Sequence, residues 1–99
     1  MSVHMAQATI RAECVADVQT AASKLFAAID AAQPDGVRYA WCLSPDGETF
    51  FALVQVDDGM ENPIPGLPEF KELQANIADW LAGPPSAQAL AVIGSYRLF

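Results

Sequence analysis

Residues 37–56, VRYAWCLSPDGETFFALVQV, limit the possible folds more than any other stretch. Two runs rich in aromatic, β-branched and other apolar residues flank Ser44-Pro45-Asp46-Gly47-Glu48, a segment with turn chemistry. Pro45 suits the second position of a type I turn, and Gly47 accepts a left-handed backbone. This predicts a hairpin with a three-residue loop and a bulge, with Ser44 opposite Glu48. In that register Val37, Tyr39, Trp41 and Leu43 share a face with Thr49, Phe51, Leu53 and Gln55. Arg38, Ala40 and Cys42 share the other with Phe50, Ala52, Val54 and Val56. A two-residue loop would shift one strand and mix these sets. Either register leaves both faces mostly apolar, so a fold containing this hairpin must cover it twice.

The remaining elements supply one cover. His4 to Glu13 alternates, with His4, Ala6, Ala8, Ile10 and Ala12 on one side, and is predicted as a first strand. From Val15 the period changes. Val15, Val18, Ala22, Leu25, Ile29 and Ala32 recur at spacings of three and four, predicting an amphipathic helix that Pro34-Asp35-Gly36 stops. Asp57 to Pro68, with its prolines, glycines and acids, is predicted as a long irregular loop. Pro68 and Glu69 open a second helix, whose buried stripe is Phe70, Leu73, Ile77, Trp80 and Leu81. Gly83 and Pro84-Pro85 end it. Ala87 to Phe99 alternates again and is predicted as a last strand. The order βαββαβ with two amphipathic helices predicts an α+β, ferredoxin-like fold in one domain, residues 1–99: a four-stranded antiparallel sheet with both helices on one face. The second apolar sheet face then calls for a second copy of the chain.

Composition agrees with reserved apolar surface. In 99 residues the hydrophobic fraction is 53% and the charged fraction 17%. A domain of this size buries only about two-thirds of its unfolded surface, so a partner subunit adds stability. Net charge is −7 and the five basic residues are scattered, which argues against nucleic acid and against an anionic membrane surface. The N-terminus lacks the pattern of a signal peptide and no apolar run reaches membrane-spanning length, so a cytoplasmic protein is expected. Cys14 and Cys42 have no metal-ligand spacing and read as reduced thiols.

With the hairpin GVRYAWCLSPDGETFFALVQVDDG, the helix FKELQANIADWL and the closing strand LAVIGSYRLF in place, the chain resembles the dimeric α/β-barrel superfamily. Within it, the chain is similar to the antibiotic-biosynthesis-monooxygenase-like proteins. The resemblance implies a homodimer formed by packing two sheets into a barrel, with a ligand between the sheet and the helices of each subunit. It also implies binding of a small aromatic or quinone-like molecule, with cofactor-free monooxygenation as the candidate activity. A non-catalytic dimeric metabolite-binding or protein-interaction domain is the alternative. Many such relatives carry an acidic helix ending in Ala-His after the third strand. The proline-rich loop here has no histidine, so haem is not expected, and no other cofactor is implied.

Candidate ligand-binding residues are Tyr39, Trp41, Trp80 and Tyr96, whose rings could stack on a flat ligand, and Arg38 and Arg97. A guanidinium beside a phenol or enol would favour the anion, the species able to pass an electron to oxygen in the chemistry of such relatives. The same aromatics also suit core or interface packing, and the arginines suit salt bridges at a barrel rim. Asn62 and Asn76 are further polar candidates. His4, the single histidine, reads as an ordinary near-terminal residue, and the acidic run Asp57-Asp58-Gly59-Met60-Glu61 as a solvated turn. No metal site is expected. Ser44, Ser86 and Ser95 lack both an elbow motif and a nearby base, so triad hydrolysis is not expected.

Overall fold

The computed structural model describes residues 2–98. The chain runs β1 (Ser2–Thr9), a 3-10 turn (Ala12–Cys14), α1 (Val15–Ala32), β2 (Val37–Leu43), β3 (Thr49–Val56), a second 3-10 turn (Ile64–Gly66), α2 (Pro68–Trp80) and β4 (Ser86–Ala91). The strands form one antiparallel sheet in the order β2-β3-β1-β4. This is the expected ferredoxin-like βαββαβ arrangement.

The hairpin register differs from the expected one by a residue. Leu43 pairs with Phe50 and Tyr39 with Val54, and the Ser44 N–H donates to the Thr49 carbonyl at 2.8 Å. The loop therefore holds four residues, 45–48. The cause is Asp46, whose carboxylate accepts from the Glu48 N–H at 2.8 Å, the Thr49 N–H at 3.1 Å and the hydroxyls of Thr49 and Ser44. That network fixes the wider loop, with Gly47 at φ 77°. One sheet face consequently carries Tyr39, Trp41 and Leu43 with Phe50, Ala52 and Val54 from β3, His4, Ala6 and Ala8 from β1, and Ala87 and Ala89 from β4. The opposite face carries Arg38, Ala40 and Cys42 with Phe51, Leu53 and Gln55, then Val3, Met5 and Gln7, then Gln88 and Leu90.

The helices pack on the Tyr39–Trp41 face. Val18 of α1 meets Ile10 and Phe50 in one buried cluster, and Leu25 of α1 meets Leu73 of α2 and Ile64 in another. Trp41 and Trp80 pack against both clusters. Ile64 comes from the proline-rich loop, which is thus partly core; its N–H donates to the Asn62 side-chain oxygen at 3.0 Å. Helix α1 ends where Gln33 turns left-handed at φ 48° and donates its N–H to Ile29.

Three boundaries are shorter than the alternation suggests. β1 stops at Thr9, because Ile10 forms an isolated bridge with Leu81 and the chain then enters the 3-10 turn at Ala12. α2 stops at Trp80, because Leu81 becomes extended to make that bridge and Ala82 N–H donates to Thr9 at 2.9 Å. β4 ends at Ala91, opposite Ser2, so β1 offers no partner for Val92 onward within the described residues. Ile93, Tyr96 and Leu98 stand exposed beyond it. Phe99, assigned to the last strand from sequence, lies outside the described residues.

Candidate functional site

The helices cover the β2–β3 half of their sheet face more fully than the β1–β4 half. Ala8, Ala52 and Val54 are half-buried, whereas His4, Ala6, Ala87 and Ala89 remain exposed although they point to the helix side. Alanine gives the sheet almost no height there, and the space above it is a cleft of about 600 Å³. That volume suits a small organic ligand. Small residues from β1, β3 and β4 make the floor. Tyr39 and Trp41 form the β2 wall, Phe70, Gln74 and Ile77 come from α2, and Asn62 and Ile64 come from the proline-rich loop.

The β2 wall is held rigidly. The Trp41 Nε1–H donates to the Tyr39 hydroxyl at 2.8 Å. The Tyr39 ring stacks on Phe26 of α1, with centroids 5.4 Å apart, and Trp41 meets Phe50 edge-on at 6.2 Å. Burial raises the Tyr39 pKa above its usual 10.0, outweighing the Trp41 bond, which acts the other way. The phenol is therefore neutral at physiological pH. Its oxygen accepts from Trp41, and no acceptor for its own proton is found among the described residues. Asn62 uses its side-chain oxygen on Ile64, which leaves its NH₂ group as a donor.

Of the six candidate ligand residues, the structure brings together Tyr39 and Trp41 in the cleft wall. Trp80 faces the space between the helices, beside Leu73 and the outer groove formed by Asp17, Lys24, Glu69 and Glu72. On α2 it lies on the Leu73 side, whereas Phe70, Gln74 and Ile77, with Leu81 just past the helix, line the cleft. Arg38 lies on the opposite sheet face, where its Nη1 donates to Gln55 at 3.3 Å and meets Asp57 at 3.4 Å. Tyr96 and Arg97 lie beyond β4, exposed, with the guanidinium 5.1 Å from the Tyr96 ring centre. Asn76 points along α2, donating to the Glu72 carbonyl at 3.0 Å. Asp, Glu, Lys and Arg are absent from the cleft lining among the described residues. Among the same residues no group of three or more His, Cys, Asp and Glu side chains could hold a metal ion.

The residue that sequence reasoning passed over is His4. The register sets it in the row Tyr39–Val54–His4–Ala89 across all four strands, so it lines the cleft. The signal was its alternation with Ala6, Ala8 and Ile10. What was missing was the knowledge that this side faces the helices and that the alanines leave it open.

No family profile matches the chain, and no curated protein matches it. Solved structures do. A candidate antibiotic biosynthesis monooxygenase from Nitrosomonas europaea superposes with a TM-score of 0.78 at 14% identity, covering 95% of this chain and 100% of its own. A candidate antibiotic biosynthesis monooxygenase from Caulobacter crescentus gives 0.75 at 19% identity, covering 94% and 90%. A Mycobacterium tuberculosis protein gives 0.64 at 22% identity, covering 95% and 96%. At these identities the likeness establishes the fold: the chain is built like the antibiotic-biosynthesis-monooxygenase-like proteins over nearly its whole length.

Proposed function

We propose that the chain is a homodimeric protein that binds a small aromatic or quinone-like molecule between its sheet and its helices. The observation that carries this reading is the open apolar cleft with a fixed Tyr39–Trp41 wall and a floor of small side chains. Flat floors and aromatic walls favour planar ligands, which gain apolar burial and ring contacts without displacing side chains. Monooxygenation without a cofactor is the activity suggested by the descriptions of the solved structures with this fold. In balanced form, a ring CH₂ group and one O₂ give a ring carbonyl and water.

A non-catalytic binding domain is the second reading, and a specific observation favours it. Arg38 and Arg97, the groups expected to stabilise a phenolate or enolate, both lie away from the cleft. Anthrone under air, followed by oxygen uptake and anthraquinone formation, separates the two. The oxygenase reading expects uptake above heat-denatured protein and a marked fall in Tyr39→Phe. Saturable anthraquinone binding without uptake supports the binding domain, and neither binding nor uptake overturns both readings.

A further inference from the structure

We infer that the cleft selects an uncharged ligand by its oxygens at two opposite edges, with the Tyr39 hydroxyl and the His4 imidazole as the two readers. The inference rests on the proposed binding of a flat aromatic molecule and adds the rule by which such molecules are told apart.

Two features of Tyr39 set its part. Trp41 occupies the acceptor side of the hydroxyl, so the group that remains to a ligand is its O–H. Stacking on Phe26 restrains the ring, so the donor direction is preset. Tyr39 therefore recognises an acceptor, such as a carbonyl oxygen. A ligand hydroxyl can still accept this bond, whereas a bare ring edge leaves the buried donor unpaired, which carries a desolvation penalty.

His4 stands in the same cross-strand row, two strands away, with only Val54 between them. At the usual strand separation the two backbones are about 10 Å apart. A ring system of two or three fused rings lying over Val54 and Ala52 spans that gap. His4 makes no hydrogen bond within the described residues and is exposed to the cleft, so its ring nitrogens are available to a second oxygen.

Charge completes the rule. Arginine and lysine are absent from the cleft lining among the described residues, so a carboxylate or sulfonate entering it would lose water without gaining a guanidinium or ammonium partner. Neutral oxygenated rings meet no such penalty.

The test is equilibrium dialysis of the full chain against four probes: anthraquinone, with oxygens at both edges; fluorenone, with one; fluorene, with none; and anthraquinone-2-sulfonate. Circular dichroism confirms that Tyr39→Phe, Trp41→Phe and His4→Ala remain folded. The parent chain is expected to bind in the order anthraquinone, fluorenone, fluorene, with the sulfonate weakest. Tyr39→Phe should weaken anthraquinone and fluorenone about two- to tenfold while sparing fluorene. His4→Ala should weaken anthraquinone by a similar factor while sparing fluorenone and fluorene. Trp41→Phe, which frees the Tyr39 hydroxyl to turn, should narrow the fluorenone-to-fluorene ratio more than it weakens fluorene. Equal binding of all four probes, or equal losses on all of them in each variant, overturns the two-edge rule and leaves the aromatic cleft standing. Failure of the parent chain to bind any probe overturns both.

Discussion

Asp46 is fully exposed, yet its carboxylate accepts four hydrogen bonds from the turn around it, and these hold its pKa at about 2, below the usual 3.8. A depressed carboxylate stabilises the fold above its unfolded pKa and loses that contribution as pH falls towards the folded value. Asp46→Ala should therefore be less stable than the parent at pH 7, with the gap in urea midpoint closing between about pH 4 and pH 2. A gap that stays constant over that range would mean the ionised form contributes nothing. Tyr39 gives the opposite sign. Its raised pKa means that the neutral phenol is favoured by the fold, so stability present at neutral pH is lost as alkali converts it to phenolate. In a Tyr96→Phe background Tyr39 is the single remaining tyrosine. Its absorbance change near 295 nm should then fall above pH 10 and coincide with a loss of ligand binding.

The two helices rest on a few buried anchors, Val18 and Leu25 in α1 and Leu73 in α2. Leu25 shows no exposed surface and ties α1 to Ile64 and Leu73, so Leu25→Ala should cost about 2–5 kcal/mol in chemical unfolding. Ala6→Leu, on the open floor, adds side-chain volume where no helix sits, and should leave stability within about 1 kcal/mol while blocking anthraquinone in dialysis. Both helices were legible in the sequence because Val18, Leu25, Leu73 and Ile77 repeat with the helical period, and period is a local property. The sheet was legible in content but not in register. Pro45 and Gly47 announce a turn, yet the loop length depends on where the Asp46 side chain finds its donors. A slip of one residue exchanges the partners of Tyr39 and Trp41 from Leu53 and Phe51 to Val54 and Ala52, respectively. Alternation continues to Leu98, whereas pairing requires a neighbour, and among the described residues β1 reaches only Ser2 opposite Ala91. The cleft depended on both points: its alanines and His4 belong to a site only when the register turns them towards the helices.

At the scale of the whole molecule, the sheet face without helices and the tail after Ala91 argue for the proposed homodimer. A folded monomer of 10.6 kDa is expected to expose about 5,500 Å², whereas this chain exposes 6370 Å². The excess is close to the roughly 800 Å² that each partner contributes to a standard interface. The outer face offers apolar material for it, with Met5, Phe51 and Leu53 half-buried and Ala40 and Cys42 exposed beside the buried Val3 and Gln55, and the tail after β4 adds the exposed Ile93 and Leu98. Leu53 lies at the centre of this face, on β3 between Ala40 and Met5, and has its back to the cleft. A charge there would be left unpaired in a sheet-to-sheet contact, while a monomer could leave it in water. The parent chain should therefore sediment as a dimer at micromolar concentration, with a melting temperature that falls on dilution. Leu53→Glu should sediment as a folded monomer whose melting temperature no longer depends on concentration. Removal of residues 95–98 together with Phe99 should weaken the dimer to a lesser degree, because it strips the tail and leaves the sheet face. A parent chain that is a stable monomer at those concentrations would overturn the sheet-packing argument. If Leu53→Glu is monomeric and still binds anthraquinone, each cleft is complete within one subunit. If binding disappears with the dimer, the second copy closes the open β1–β4 side, where His4 stands exposed.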